Sequence, residues 1–110
     1  MPRNKENLYD IPTNIADIVR LMCADYDRRA YDIMKRSREE KVITKYTELN
    51  SVIDGALTEV EYGIRRELLD DIGLGRGYDL SPLSPLMAKN TYYKRKKAVV
   101  TGIAAGLDLI

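Results

Sequence analysis

With 110 residues the chain can form one domain around a modest core. The single cysteine, Cys23, excludes an internal disulfide and fits a reducing compartment, and the absence of histidine removes the commonest general base and metal ligand. Net charge is only +1, but residues 1–73 carry 12 Lys/Arg against 15 Asp/Glu and residues 74–110 carry 6 against 2. The cationic excess therefore sits in the last third, a polarity suited to a neutral scaffold presenting a basic surface. Tyrosine supplies every aromatic ring, so the core is expected from Ile, Leu, Val, Met and Tyr. No signal-peptide core or long uncharged apolar run occurs, and a soluble, cytoplasmic protein without a membrane partner is expected.

Residues 1–12 read as an arm ending at Pro12, which disfavours helix at Ile11, and Thr13 or Asn14 offers a cap for a helix beginning there. Ile15, Ile18, Val19 and Met22 mark this first helix, ending near Ala24. A second covers Asp27 to Arg36 and is expected to bury Ala30, Tyr31 and Ile33 or Met34. Two separate helices and one helix bent near Tyr26 fit this pattern equally.

From about Glu39 to Ile72, apolar residues recur every three or four positions: Ile43, Tyr46, Leu49, Ile53, Leu57, Val60, Ile64, Leu68 and Ile72. The pattern predicts a long central helix of about 45 Å at about 1.5 Å per residue. Its stripe needs cover, from the first two helices and from a second copy of the chain. Gly55 and Gly63 interrupt the pattern and mark a bend or a close helix crossing.

Gly73 to Gly77 ends that segment with left-handed capping chemistry. Ser81-Pro82 and Ser84-Pro85 come next as a turn or a short helical turn. After Ala88 comes Lys89-Asn90-Thr91-Tyr92-Tyr93-Lys94-Arg95-Lys96-Lys97, with five cations and two tyrosines in nine residues. It continues as an amphipathic helix whose buried stripe is Tyr92, Val99, Ile103 and Leu107. No alternating strand pattern appears, so the fold class is all-α: two short N-terminal helices on a long central helix, then a compact C-terminal unit.

On a helical wheel Asn90, Lys94, Lys97 and Thr101 lie opposite Tyr92, with Tyr93 on the flank. Lys96 falls near the buried stripe, and its ammonium is expected to reach solvent past the core. Asn90, Tyr93, Lys94 and Lys97 are the residues expected to face DNA, with Arg95 on a flanking phosphate. Lys89 sits in the first turn, where the helix dipole disfavours a cation unless a phosphate is bound there. Alone, Lys89 reads equally well as a screened surface charge.

Elsewhere the chemistry is sparse. The Gly73-x-Gly75-x-Gly77 spacing has no preceding strand and no Gly-Lys-Ser/Thr, so it reads as a helix stop and not a nucleotide loop. Glu59, Glu61, Glu67, Asp70 and Asp71, with Arg65 and Arg66 beside them, read as a solvated face and not a metal cluster. Cys23 lies between Met22 and Ala24 and reads as structural. No enzyme activity, cofactor or metal is expected.

The C-terminal residues also carry a resemblance. Arg76-Gly77-Tyr78, Ser81-Pro82, Lys89 to Lys96 and the ending Ile103-Ala104 with Leu107 and Leu109-Ile110 resemble the phage-encoded ArpU/RinA-type transcriptional regulators of Gram-positive bacteria. Asn7-Leu8-Tyr9-Asp10-Ile11-Pro12 is similar to the start of short members. The resemblance is strong over residues 76–110 and rests on helical pattern before that. It implies a helix-turn-helix like that of sigma-factor region 4, with Thr91, Tyr92, Tyr93, Lys94 and Arg95 on the recognition helix. It further implies binding of double-stranded DNA near phage or prophage promoters, beside host RNA polymerase.

The chain thus divides into an N-terminal arm and helical scaffold, residues 1–75, and a DNA-binding region, residues 76–110. The expected regulator is a homodimer that inserts the helix from Asn90 to Thr101 into the major groove. Lys89, Arg95, Arg76 and an Arg3/Lys5 arm would meet phosphates. Two other readings stay open. One is an assembly protein whose basic terminus docks on an acidic protein; the other is a small packaging-type DNA-binding subunit.

Overall fold

The computed structural model describes residues 9–110, in which all regular structure is helical and no strand occurs. The five α-helices are α1 (Thr13–Ala24), α2 (Tyr26–Lys35), α3 (Glu40–Leu57), α4 (Arg65–Leu74) and α5 (Lys89–Gly106), with single 3-10 turns at Tyr62–Ile64 and Tyr78–Leu80. The all-α expectation holds. The Arg3/Lys5 arm lies outside the described residues.

Pro12 does start α1, but through its backbone. Its carbonyl accepts the Ile15 and Ala16 N–H groups at 3.0 Å each, and neither Thr13 nor Asn14 forms the expected side-chain cap. The residues just before it are not a free arm, because Ile11 is buried and Tyr9 packs on the core. A break at Asp25 separates α1 from α2. Within α2 the expected apolar face is split: Ala30 and Ile33 are half-buried, but Tyr31 is 57% and Met34 69% exposed, while Arg29 and Asp32 are buried. The Arg29 guanidinium turns inward because Asn50 Oδ1 on α3 (2.7 Å) and the Met22 carbonyl on α1 (2.6 Å) accept its N–H groups.

The predicted 30-residue rod is two helices. α3 stops at Leu57, where the Thr58 hydroxyl folds back onto the Gly55 carbonyl at 2.6 Å. The chain passes through the 3-10 turn containing Gly63 and resumes as α4 at Arg65, whose Nε donates to the Val60 carbonyl at 2.9 Å. Val60 stays buried and Ile64 stays packed against the core throughout. The apolar spacing thus reports which residues are buried and is blind to the break between them. Gly55 and Gly63 face open space and mark no crossing. The close crossings lie elsewhere. A Cβ on Gly73 would stand 3.0 Å from the Ala24 backbone in α1, and one on Gly106 would stand 2.7 Å from Val52 Cγ1 in α3.

Gly75 ends α4 in the left-handed region (φ 69°), with the Arg76 N–H donating to the Asp71 carbonyl at 2.8 Å, as the glycine cluster predicts. The segment to α5 is held by the Tyr78 hydroxyl, which lies 2.8 Å from the Ser84 carbonyl and 2.6 Å from that of Met87, and by buried Leu83. Residues 76–110, where the resemblance implies a helix-turn-helix, hold one α-helix, α5, preceded by the 3-10 turn at Tyr78–Leu80.

α5 is the central strut. Tyr92, Val99, Val100, Ile103 and Ala104 are buried against Val19 and Cys23 of α1, Ile53, Ala56 and Leu57 of α3, and Leu68, Leu69 and Ile72 of α4. The Cys23 thiol is pushed up to about 12 by this burial, as befits a structural residue. Within one chain α2 and α5 cover the α3 stripe, so that stripe no longer calls for a second copy.

Candidate nucleic-acid interface

The basic segment forms the first half of α5, and its residues divide into three groups. Lys89, Asn90 and Lys94 are exposed, and no side-chain bond holds them to other described residues. Thr91 is half-buried on the flank. The helix begins after Ala88, an extended residue whose side chain cannot cap, and no acidic residue stands in the first turn. The Tyr92 N–H is the first to find a helical acceptor, the Ala88 carbonyl at 2.9 Å. The N–H groups of Lys89, Asn90 and Thr91 therefore point outward without a protein acceptor among the described residues, next to two ammonium groups likewise unpaired among them.

The second group is held by the fold. Arg95 makes a two-pronged pair with Glu61, at 3.0 and 3.1 Å, and holds that carboxyl below its ordinary range. Lys97 pairs with Asp10. Thr101 donates its hydroxyl to the Lys97 carbonyl at 2.8 Å, within its own helix. The Tyr93 ring packs edge-on against Tyr92, and its oxygen accepts the Tyr78 N–H at 3.2 Å. Tyr93, Arg95, Lys97 and Thr101 thus do not join Lys89, Asn90 and Lys94 in one free face. The side chains free of other described residues are therefore confined to the amino-terminal corner of the helix and do not run on from Asn90 to Thr101.

The third group is buried. Tyr92 donates its hydroxyl to Asp71 Oδ2 at 2.8 Å, and Arg76 Nε donates to Asp71 Oδ1 at 2.6 Å. Burial first, then this carboxylate, keeps the Tyr92 hydroxyl protonated far up the pH scale. Asp71 is fully buried and is not part of a solvated acidic face. Lys96 is 4% exposed, and its ammonium donates to the Arg76 carbonyl at 2.6 Å in place of reaching solvent. Desolvation holds that ammonium below its ordinary range. Arg76 is committed to this network and is not placed as a phosphate contact. The network had one legible sign: Asp71 stands three residues after Leu68 and shares its face of α4.

Of the six cations in residues 74–110, four are engaged inside the molecule, leaving Lys89 and Lys94 as the free charge of this segment among the described residues. No helix of the described residues is long and apolar enough to cross a membrane. No family model, curated protein or solved structure matches the chain.

Proposed function

We propose that the chain binds a nucleic-acid backbone, as double-stranded DNA, through the amino-terminal corner of α5. The supporting observation is a coincidence at that corner: Lys89, Lys94 and three backbone N–H groups all lack partners among the described residues, and the first turn holds no acidic residue. A phosphate there gains hydrogen bonds from the backbone and attraction from the helix end and the ammonium groups together. Contact is end-on, with Asn90 as the side chain able to meet a base edge and the lysines on phosphates. Arg95 and Lys97 sit in solvent-screened ion pairs, for which a nearby phosphate competes. The resemblance of residues 76–110 to phage regulators suggests that the DNA is a promoter met beside host RNA polymerase. A homodimer would compensate for the few contacts one corner makes.

The test is a salt titration of duplex binding by fluorescence anisotropy. Two phosphate contacts predict a slope of about −2 in log affinity against log salt. The double variant Lys89→Ala, Lys94→Ala is expected to flatten that slope and keep the helical circular dichroism of the parent chain. A flat response in the parent, or unchanged affinity in the double variant, removes the corner from any interface.

A further inference from the structure

A cavity of about 360 Å3 opens between α1, the Gly75–Gly77 turn and α5. That size lies within the range of small-ligand sites. Ala16, Ile72 and Val100 give it apolar walls, while Lys96 and Tyr93 border it from α5 and Arg20 from α1.

The polar groups of this cavity are not all matched. The Asp71 carboxylate, which does not itself line the cavity, is taken by Tyr92 and Arg76. With Arg76 and Lys96 beside that one buried carboxylate, the cluster holds one positive charge in excess. Lys96 gives one N–H to the Arg76 carbonyl, and its ammonium stands 5.4 and 5.9 Å from the ring centres of Tyr92 and Tyr93. An ammonium has three donors, so two find no acceptor among the described residues. The Tyr93 oxygen accepts from Tyr78, and its own proton likewise has no acceptor among them. Donors left without partners in an apolar setting favour any ligand that supplies acceptor atoms.

We propose that this cavity binds a small organic anion, a carboxylate or a phosphate on an apolar body, with its oxygens on Lys96 Nζ and Tyr93 Oη. The apolar body lies against Ala16, Ile72 and Val100. Arg20 adds attraction at the mouth, where Asp17 tempers it. The site is separate from the corner of α5, because Lys96 lies about 160° around the helix from Lys94 at about 100° per residue.

Titration of the full chain with phenyl phosphate, benzoate and neutral benzyl alcohol, followed by amide NMR shifts, tests this directly. Both anions are expected to give saturable shifts at Ile72, Gly77 and Val100, with affinities at least about tenfold above the alcohol. Lys96→Met keeps the apolar stem and should lose about tenfold or more in anion affinity. Tyr93→Phe, which removes one hydroxyl, carries the same test with a several-fold loss should the first variant unfold. Equal binding of the alcohol, no saturable shift with either anion, or undiminished affinity in a folded variant overturns the proposal. Each outcome is independent of duplex binding, since the double variant at Lys89 and Lys94 leaves the cavity untouched.

Discussion

Replacing Asp71 with alanine is expected to remove about 3–5 kcal/mol of stability, measured by urea unfolding. The carboxylate is fully buried and accepts from Tyr92 at 2.8 Å and Arg76 at 2.6 Å. Alanine leaves a buried hydroxyl, a half-buried guanidinium and the neighbouring Lys96 ammonium with no negative charge among them. Tyr92→Phe takes away a single hydroxyl and leaves the carboxylate with Arg76, so about 1–3 kcal/mol is expected. Domains of this size hold about 5–15 kcal/mol in all, so the Asp71 variant should be close to unfolding. A loss below about 1 kcal/mol for Asp71→Ala would mean that the network contributes little to the fold.

Arg29→Ala is the second large effect expected, about 2–5 kcal/mol. Arg29 is 2% exposed and joins three helices, donating from α2 to Asn50 on α3 at 2.7 Å and to the Met22 carbonyl of α1 at 2.6 Å. Alanine strands both acceptors and opens space where the guanidinium lay. Arg29→Met retains the apolar stem and should cost less, about 1–3 kcal/mol. Equal costs for the two variants would show that lost hydrogen bonds dominate; no cost in either would show that α2 is held by other contacts.

The helices that cross the core were legible because their burial is periodic. Tyr92, Val99 and Ile103 predicted the inward face of α5, and Ile43, Ile53 and Leu57 that of α3. The break between α3 and α4 was hidden because Val60 and Ile64 keep facing the core across it. α2 was legible as a helix, but only part of its inward face was, for the opposite reason. Its apolar Tyr31 and Met34 face water and its arginine faces inward, since the acceptors that draw Arg29 in come from other helices.

The candidate site divides along the same line. Lys89, Asn90 and Lys94 are free of other described residues, Asn90 and Lys94 as the helical wheel gives them and Lys89 in the first turn, because none of these reaches them from afar. Arg95 and Lys97 are claimed by Glu61 and Asp10, which stand 34 and 87 positions away in the chain. A wheel treats a helix as isolated, and these pairings are tertiary. Residues 76–110 hold no second α-helix because Pro82, Pro85 and the Tyr78 hydroxyl fix residues 78–87 as turns.

Amide NMR mapping of a short duplex on the full chain is the most direct test of whether the free end of this strut, and not its length, meets a polyanion. Shifts are expected at Lys89 to Lys94 that fade as salt rises, with Ala98 to Gly106 unmoved. Shifts running along Thr101 and Ala105, or none near Lys89 at low salt, would contradict it.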